Sequence, residues 1–295
     1  MSSFYKKLNT TAKDTDKYLK NFFLNKNKNS SNLIKPMKYG LFSGGKRFRS
    51  AILVNTGKIF KIDYKKLIIV GAAIECIHAY SLMHDDLPAM DNDDLRRGKL
   101  SVHKKFNEFT ALLSGNALLT LAFEILSSSD LKLNQKSKNE LIKSLSVCSG
   151  IFGLAEGQYL DLTFEKKKVS QKKIIDMQKK KTGELFGFCC ESVAIIAGKN
   201  IKIRKKLKDI GINIGLLFQI TDDMLDYKGN SSSVGKPTKM DLKKGKATLV
   251  NLLGYEKALF FANKTKNQIN KKIKKYGFKS KDLLQSVNFL LSRDF

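Results

Sequence analysis

Two apolar stretches with helical spacing each run into a cluster of aspartates, and this pairing limits the fold more than any other feature. Leu67, Ile68, Val70, Gly71, Ile74, Ile77, His78, Ser81 and Leu82 lead into Asp85-Asp86-Leu87-Pro88-Ala89-Met90-Asp91. Leu207, Ile210, Ile214, Leu217, Phe218, Thr221 and Leu225 lead into and overlap Asp222-Asp223-Met224-Leu225-Asp226. Apolar residues recurring every three or four positions mark helices that bury a face. Strand alternation is nowhere sustained, and with only three Pro and no Pro/Gly/Ser-rich linker nothing breaks the 295 residues. The expectation is an all-α, single-domain bundle of long antiparallel helices around a central active-site cavity, spanning 1–295. Residues 1–30 would form a polar helical segment, and both acidic clusters would lie at the same end of the cavity.

The clusters have the chemistry of metal handling. At about 100° per residue, Asp222 and Asp226 fall one turn apart on one helix face, with Asp223 beside it. Asp91 follows Asp85 by six residues, and Pro88 between them lacks the N–H of an unbroken helix. The helix should loosen or end there, letting Asp91 turn back toward Asp85. Carboxylate oxygens suit Mg²⁺, which usually keeps several waters and bridges to substrate phosphates.

Basic motifs accompany both clusters. They are Gly44-Gly45-Lys46-Arg47-Phe48-Arg49, Arg96-Arg97, Lys181-Thr182-Gly183, Gly235-Lys236 and Gly245-Lys246. Of 55 Lys and Arg residues six are Arg, and Arg47, Arg49, Arg96 and Arg97 fall in the first two motifs. Guanidinium is the better fork for paired phosphate oxygens, so this concentration favours diphosphate binding over general solubility.

These motifs occur in the order G-G-K-R-x-R, D-D-x-x-x-x-D-x-D-D-x-R-R-G, G-Q-x-x-D, K-T-G, F-Q-x-x-D-D-x-x-D and G-K…D-x-x-x-G-K-x-T. In that order the chain resembles the trans-isoprenyl diphosphate synthases, or polyprenyl synthetases, from about Lys35 onward. It is most similar to the bacterial farnesyl diphosphate synthases, whose first aspartate motif carries the same Pro88-Ala89 insertion. The resemblance implies condensation of isopentenyl diphosphate with dimethylallyl and geranyl diphosphate to give farnesyl diphosphate. The alternative within the family is a geranylgeranyl diphosphate synthase.

The resemblance also implies residue roles. Asp85 and Asp91, supported by Asp86, would hold two Mg²⁺ ions, and Asp222, supported by Asp223 and Asp226, a third; Mn²⁺ is a substitute ion. Arg96, Lys181, Thr182, Gln219, Lys236 and Lys246 resemble contacts to the allylic diphosphate. Gly45, Lys46, Arg49, His78 and Arg97 resemble the pocket for isopentenyl diphosphate, which needs no metal. Tyr80, five residues before Asp85, would close the tunnel for the growing chain, with Ser81 as its neighbour. Ionisation of the allylic C–O bond, attack by the isopentenyl double bond and loss of a proton to the released diphosphate would follow. The family further implies a homodimer.

Other readings fare worse. Cys76, Cys148, Cys189 and Cys190 have no C-x-x-C spacing and suit reduced core residues; the three His make no zinc pattern. The first 30 residues lack the apolar core of a signal peptide, and no transmembrane segment is expected, so the cytoplasm is the default. A net charge of +28 invites nucleic-acid binding as a remote alternative. The lysine runs, however, are spread over the whole chain without interleaved aromatics, so no specific nucleic-acid partner is expected. Two departures from the family pattern matter for the site. Ser50 stands where Pro usually follows G-G-K-R-x-R, and Glu184 follows K-T-G in place of a small residue. A carboxylate at 184 would repel diphosphate unless turned away or paired with a Lys.

Overall fold

The computed structural model describes residues 3–26, 31–228 and 244–292. The chain is all-α: among the described residues, strand is confined to one hairpin. Two compact units emerge, Met1–Val54 with Asp63–Ile142, and Asn55–Ile62 with Lys143–Phe295.

The first unit is built on α4 (Tyr64–Asp85), which Asp63 caps by accepting from the Lys65 N–H. Its most apolar 18-residue window is 83% buried, so a helix long and apolar enough by composition to cross a membrane serves here as a core helix. Three helices flank it: α1 (Ser3–Lys26), α2 (Ile34–Leu41) and α6 (Glu108–Ser127). The N-terminal segment is therefore a packed helix, burying Leu8, Thr11, Thr15, Leu19 and Phe23 at helical spacing. Asn107 caps α6 through the Thr110 N–H. The buried side of α6 carries Ala111, Ser114, Gly115, Leu118 and Ala122, while Phe109, Leu112 and Leu113 stay exposed. Helix α3 (Phe48–Ile59) gives its first half to this unit, and α5 (Val102–Lys105) precedes α6.

The sequence reading foresaw no strand, yet β1 (Leu95–Arg96) and β2 (Lys99–Leu100) pair antiparallel through a two-residue turn at Arg97 and Gly98. Both turn residues have positive φ, +54° and +74°, as a hairpin of this length requires. Strands of two residues are too short to show alternation.

In the second unit the central element is α11 (Ile201–Lys228). Against it lies one continuous rod: α9 (Gln171–Gln178), a π-helical turn at Lys179–Gly183, and α10 (Glu184–Ile196). Close approach depends on glycine, since a Cβ on Gly211 would sit 2.2 Å from the Phe186 carbonyl oxygen. Helix α8 (Leu154–Thr163) packs on the π-turn. Helices α12 (Leu249–Leu253), α13 (Tyr255–Lys274) and α14 (Lys281–Ser292) also pack on α11. Helix α7 (Gln135–Ser149) enters the unit at its C-terminal end, where Ser144 donates to Glu191.

All four thiols are buried and free of disulfides. Burial pushes Cys148 and Cys190 up to about 12, so they remain protonated and inert.

Gly211→Ala should cost about 1–3 kcal/mol, because a backbone carbonyl cannot rotate out of the way as a side chain can. The shift in urea midpoint at unchanged m-value measures it.

Candidate active site

In the first unit, α4 ends at Asp85 and the chain turns back on itself. Asp91 N–H donates to the Asp85 carbonyl at 2.8 Å, and Asp93 N–H to that of Asp86 at 3.2 Å. The loosening expected at Pro88 is present, and it brings Asp91 beside Asp85. Both residues are half-buried, whereas Asp86 is 2% exposed. Asp86 is held by Arg96, whose Nε reaches Oδ1 at 2.9 Å and Oδ2 at 3.3 Å while Nη2 also meets Oδ1. Asp93 lies 3.4 Å from the same guanidinium. Burial would lower the Arg96 pKa, but Asp86 and Asp93 lift it above its usual value.

The basic loop Gly44–Arg49 divides its charges between two tasks. Arg47 is 5% exposed and points inward: Nε donates to Asp16 at 2.9 Å, Nη2 to the Leu41 carbonyl at 2.6 Å, and Nη1 faces Glu75 at 3.4 Å. Glu75, 2% exposed on α4, also accepts from Ser50 N–H at 3.3 Å and Ser50 Oγ at 2.9 Å. Proline at position 50 would supply neither donor, so the departure at Ser50 has a structural use. Lys46 is exposed and Arg49 half-buried.

Arg97 is tied to the same loop. Its Nη1 donates to the Gly44 carbonyl, and a Cβ on Gly45 would lie 2.7 Å from that nitrogen. Gly44 and Gly45 have φ of +108° and +115°, which glycine alone adopts freely. Partial desolvation, then the charges of Arg47, Arg96 and Arg49, push Arg97 down to about 10 against a lift from Glu75. Burial, then Arg49, Arg97, Arg47 and Arg96, hold the His78 imidazole well below 6.5, so it is neutral. Tyr80 and Ser81 are both buried on α4, the Tyr80 ring meeting His84 edge-on at 5.5 Å.

In the second unit, α11 carries Asp222 and Asp226 half-buried one turn apart and Asp223 4% exposed. Asp223 accepts from Gln178 at 2.7 Å and from Gln219 at 2.8 Å, and Gln219 in turn accepts from Thr182 Oγ1 at 2.9 Å. The π-turn thus holds Thr182 against the aspartate helix; such turns recur at functional sites. Lys181 Nζ donates to Asp161 at 2.6 Å, and Lys246 Nζ reaches the same oxygen at 2.9 Å and Glu165 at 2.9 Å. Glu184 is turned to Lys208 at 2.9 Å, which removes the repulsion expected of it. Lys236 lies outside the described residues.

The carboxylates suit Mg²⁺. Among the described residues no three His, Cys, Asp or Glu side chains could cage an ion alone. Mg²⁺ held by one or two carboxylates and by substrate phosphates needs no such cage, and Asp85 with Asp91, or Asp222 with Asp226, offers that number.

The profile of the polyprenyl synthetases, described as "Polyprenyl synthetase", matches residues 30–289. The chain belongs to the polyprenyl synthetase family. It is 40% identical over 257 residues to the farnesyl diphosphate synthase of Escherichia coli K12, an alignment covering 86% of each chain. Among solved structures, an FPP/GFPP synthase from Zymomonas mobilis superposes with a TM-score of 0.86 at 38% identity, over 97% of this chain and 98% of the other. A Helicobacter pylori geranyltransferase complexed with magnesium and isoprenyl diphosphate gives 0.82 at 30% identity, over 99% and 97%.

Some residues of this polyprenyl synthetase escaped the sequence reading. Glu75 sits in an apolar run with no motif of its own, and only the inward turn of Arg47 reveals its use. Asp161 and Gln158 did carry a signal, the G-Q-x-x-D motif, without an assigned role. Gln158 is 7% exposed and neither of its amide atoms has a hydrogen-bond partner among the described residues.

Arg47→Ala should destabilise the fold by about 3–5 kcal/mol, because it strands Glu75 as a buried charge. Guanidinium chloride unfolding measures the loss, which the double variant Arg47→Ala with Glu75→Gln should partly recover.

Proposed function

We infer that the protein joins isopentenyl diphosphate to dimethylallyl and then geranyl diphosphate and releases farnesyl diphosphate. Its six ordered motifs, in a chain 40% identical to the Escherichia coli farnesyl diphosphate synthase over 86% of both lengths, carry this reading. The chain is proposed to work as one catalytic domain.

Bound Mg²⁺ supplies charge neutralisation to the departing diphosphate, and the magnesium complex of the Helicobacter pylori geranyltransferase supports that choice of ion. Three ions are proposed, with Mn²⁺ as a substitute: Asp85 and Asp91, supported by Asp86, would hold two, and Asp222, supported by Asp223 and Asp226, the third. Lys181 and Lys246, with Arg96 and Lys236 beside them in role, stabilise the charge that grows on the leaving diphosphate as the C–O bond breaks. Thr182 and Gln219 orient the same group. Lys46, Arg49 and Arg97, with the neutral His78, hold the isopentenyl diphosphate, and the glycine loop keeps Arg97 in place. The exposed apolar edge of α6 at Phe109, Leu112 and Leu113 supports assembly as a homodimer. Four buried free thiols suit a reducing compartment such as the cytoplasm.

Purified protein incubated with Mg²⁺, isopentenyl diphosphate and each allylic primer in turn should yield a fifteen-carbon diphosphate by chromatography. No elongation from any primer overturns the reading. Asp85→Ala and Asp222→Ala should each retain less than about a tenth of the wild-type rate, an effect above roughly 1.4 kcal/mol. Their melting temperatures should change little or rise, since each removes a carboxylate from a crowd of like charges.

Tyr80→Ala tests product length. The ring lies five residues, about 7.5 Å of helix rise, before Asp85. Removing it should shift product toward twenty carbons or more while sparing the first condensation. An active variant that still releases only the fifteen-carbon product would move the floor to Ser81 or another helix.

A further inference from the structure

In the second unit three separate segments meet at one carboxylate oxygen. Lys181 Nζ from the π-turn stands 2.6 Å from Asp161 Oδ2, and Lys246 Nζ from the loop before α12 stands 2.9 Å from the same atom. The two ammonium nitrogens are therefore at most about 5.5 Å apart, a span that suits the neighbouring oxygens of one diphosphate. Two like charges do not stay so close without an anion between them. We propose that Asp161 is a positioning residue that holds Lys181 and Lys246 together as a preformed clamp for the allylic diphosphate.

The surroundings are built around this contact. Gly157, one turn before Asp161 on α8, lets the helix lie directly on the π-turn, where a Cβ would come 2.1 Å from the Lys181 backbone nitrogen. On the other side Lys166 N–H donates to the Gly245 carbonyl at 2.8 Å, which fastens the Lys246 loop to the end of α8. The Asp161 and Lys246 side chains are only 10% and 8% exposed, whereas Lys181 keeps 25%. Burial alone would raise the Asp161 pKa, but the two lysines outweigh it and keep the carboxylate ionised. Each ammonium has three N–H donors; Asp161 Oδ2 takes one from each, and Glu165 Oε1, 2.9 Å from Lys246 Nζ, takes a second from that lysine.

This inference rests on the reading that Lys181 and Lys246 contact the allylic diphosphate, and the test separates the two. Asp161→Asn, Asp161→Glu, Lys181→Ala and Lys246→Ala are compared in the full chain. Calorimetry with inorganic pyrophosphate and Mg²⁺ gives affinity, and steady-state kinetics gives KM for geranyl and for isopentenyl diphosphate separately. Asp161→Asn should weaken pyrophosphate binding and raise the geranyl diphosphate KM by about ten- to a hundredfold. The isopentenyl diphosphate KM should move less than about twofold, and Asp161→Glu should recover part of the loss. A merely structural residue would change both KM values alike or neither. If both lysine variants weaken pyrophosphate binding while Asp161→Asn leaves it unchanged or tighter, the positioning role of Asp161 is overturned. If neither lysine variant weakens it, the diphosphate reading of the lysines falls and the clamp falls with it. Should Asp161→Asn fail to fold, Asp161→Glu, which keeps the charge but lengthens the arm, must show the same selective rise in geranyl diphosphate KM; equal or absent changes overturn the proposal.

Discussion

A carboxylate withdrawn from water has to be paired or hydrogen-bonded where it stands, and this requirement positions many of the candidate site residues. Glu75 draws Arg47 inward and so sets the turn of the glycine loop from which Lys46 and Arg49 project. Asp86 anchors Arg96, which heads the hairpin that presents Arg97. Asp161 gathers Lys181 and Lys246. Glu184 is paired with Lys208. In a chain of net charge +28 the scarce carboxylates are what decide which cations are immobilised.

Each aspartate cluster divides its labour in the same way. The middle residues Asp86 and Asp223 are buried and held by protein donors, an arginine in one case and two glutamines in the other. The flanking residues Asp85, Asp91, Asp222 and Asp226 stay half-buried. A fully buried, hydrogen-bonded carboxylate has little freedom to follow an ion, whereas a half-buried one can share coordination with water and phosphate. Backbone devices complete the arrangement: the fold-back after Asp85, the positive-φ glycine pair and the π-turn at Lys179–Gly183 each place a polar group that a regular helix would carry elsewhere.

Much of this was written in the one-dimensional pattern. Helical periodicity located α4 and α11, Pro88 marked the end of the first aspartate helix, and the order of six motifs named the family. These features are local, because apolar spacing, a missing N–H and a motif are properties of neighbouring residues. The hairpin at Leu95–Leu100 was not foreseen, since two-residue strands carry no period, and the packed character of α1 was hidden in a Lys- and Asn-rich segment.

Which cation answers which carboxylate was decided only by the tertiary structure. The sequence by itself placed Arg47, Arg49, Lys181 and Lys246 in basic motifs suited to phosphate, and the resemblance divided Arg49 from Lys181 and Lys246 by substrate, but neither gave any of them a carboxylate partner. Folding turned Arg47 into the core toward a glutamate 28 residues away and brought Lys246 to an aspartate 85 residues away. Such pairings depend on how helices separated in the chain pack, and on distances of a few ångströms over which desolvation and Coulomb attraction compete. A motif can name the residue types a reaction needs; packing determines which of them remain available to a ligand and which are consumed in holding the others still.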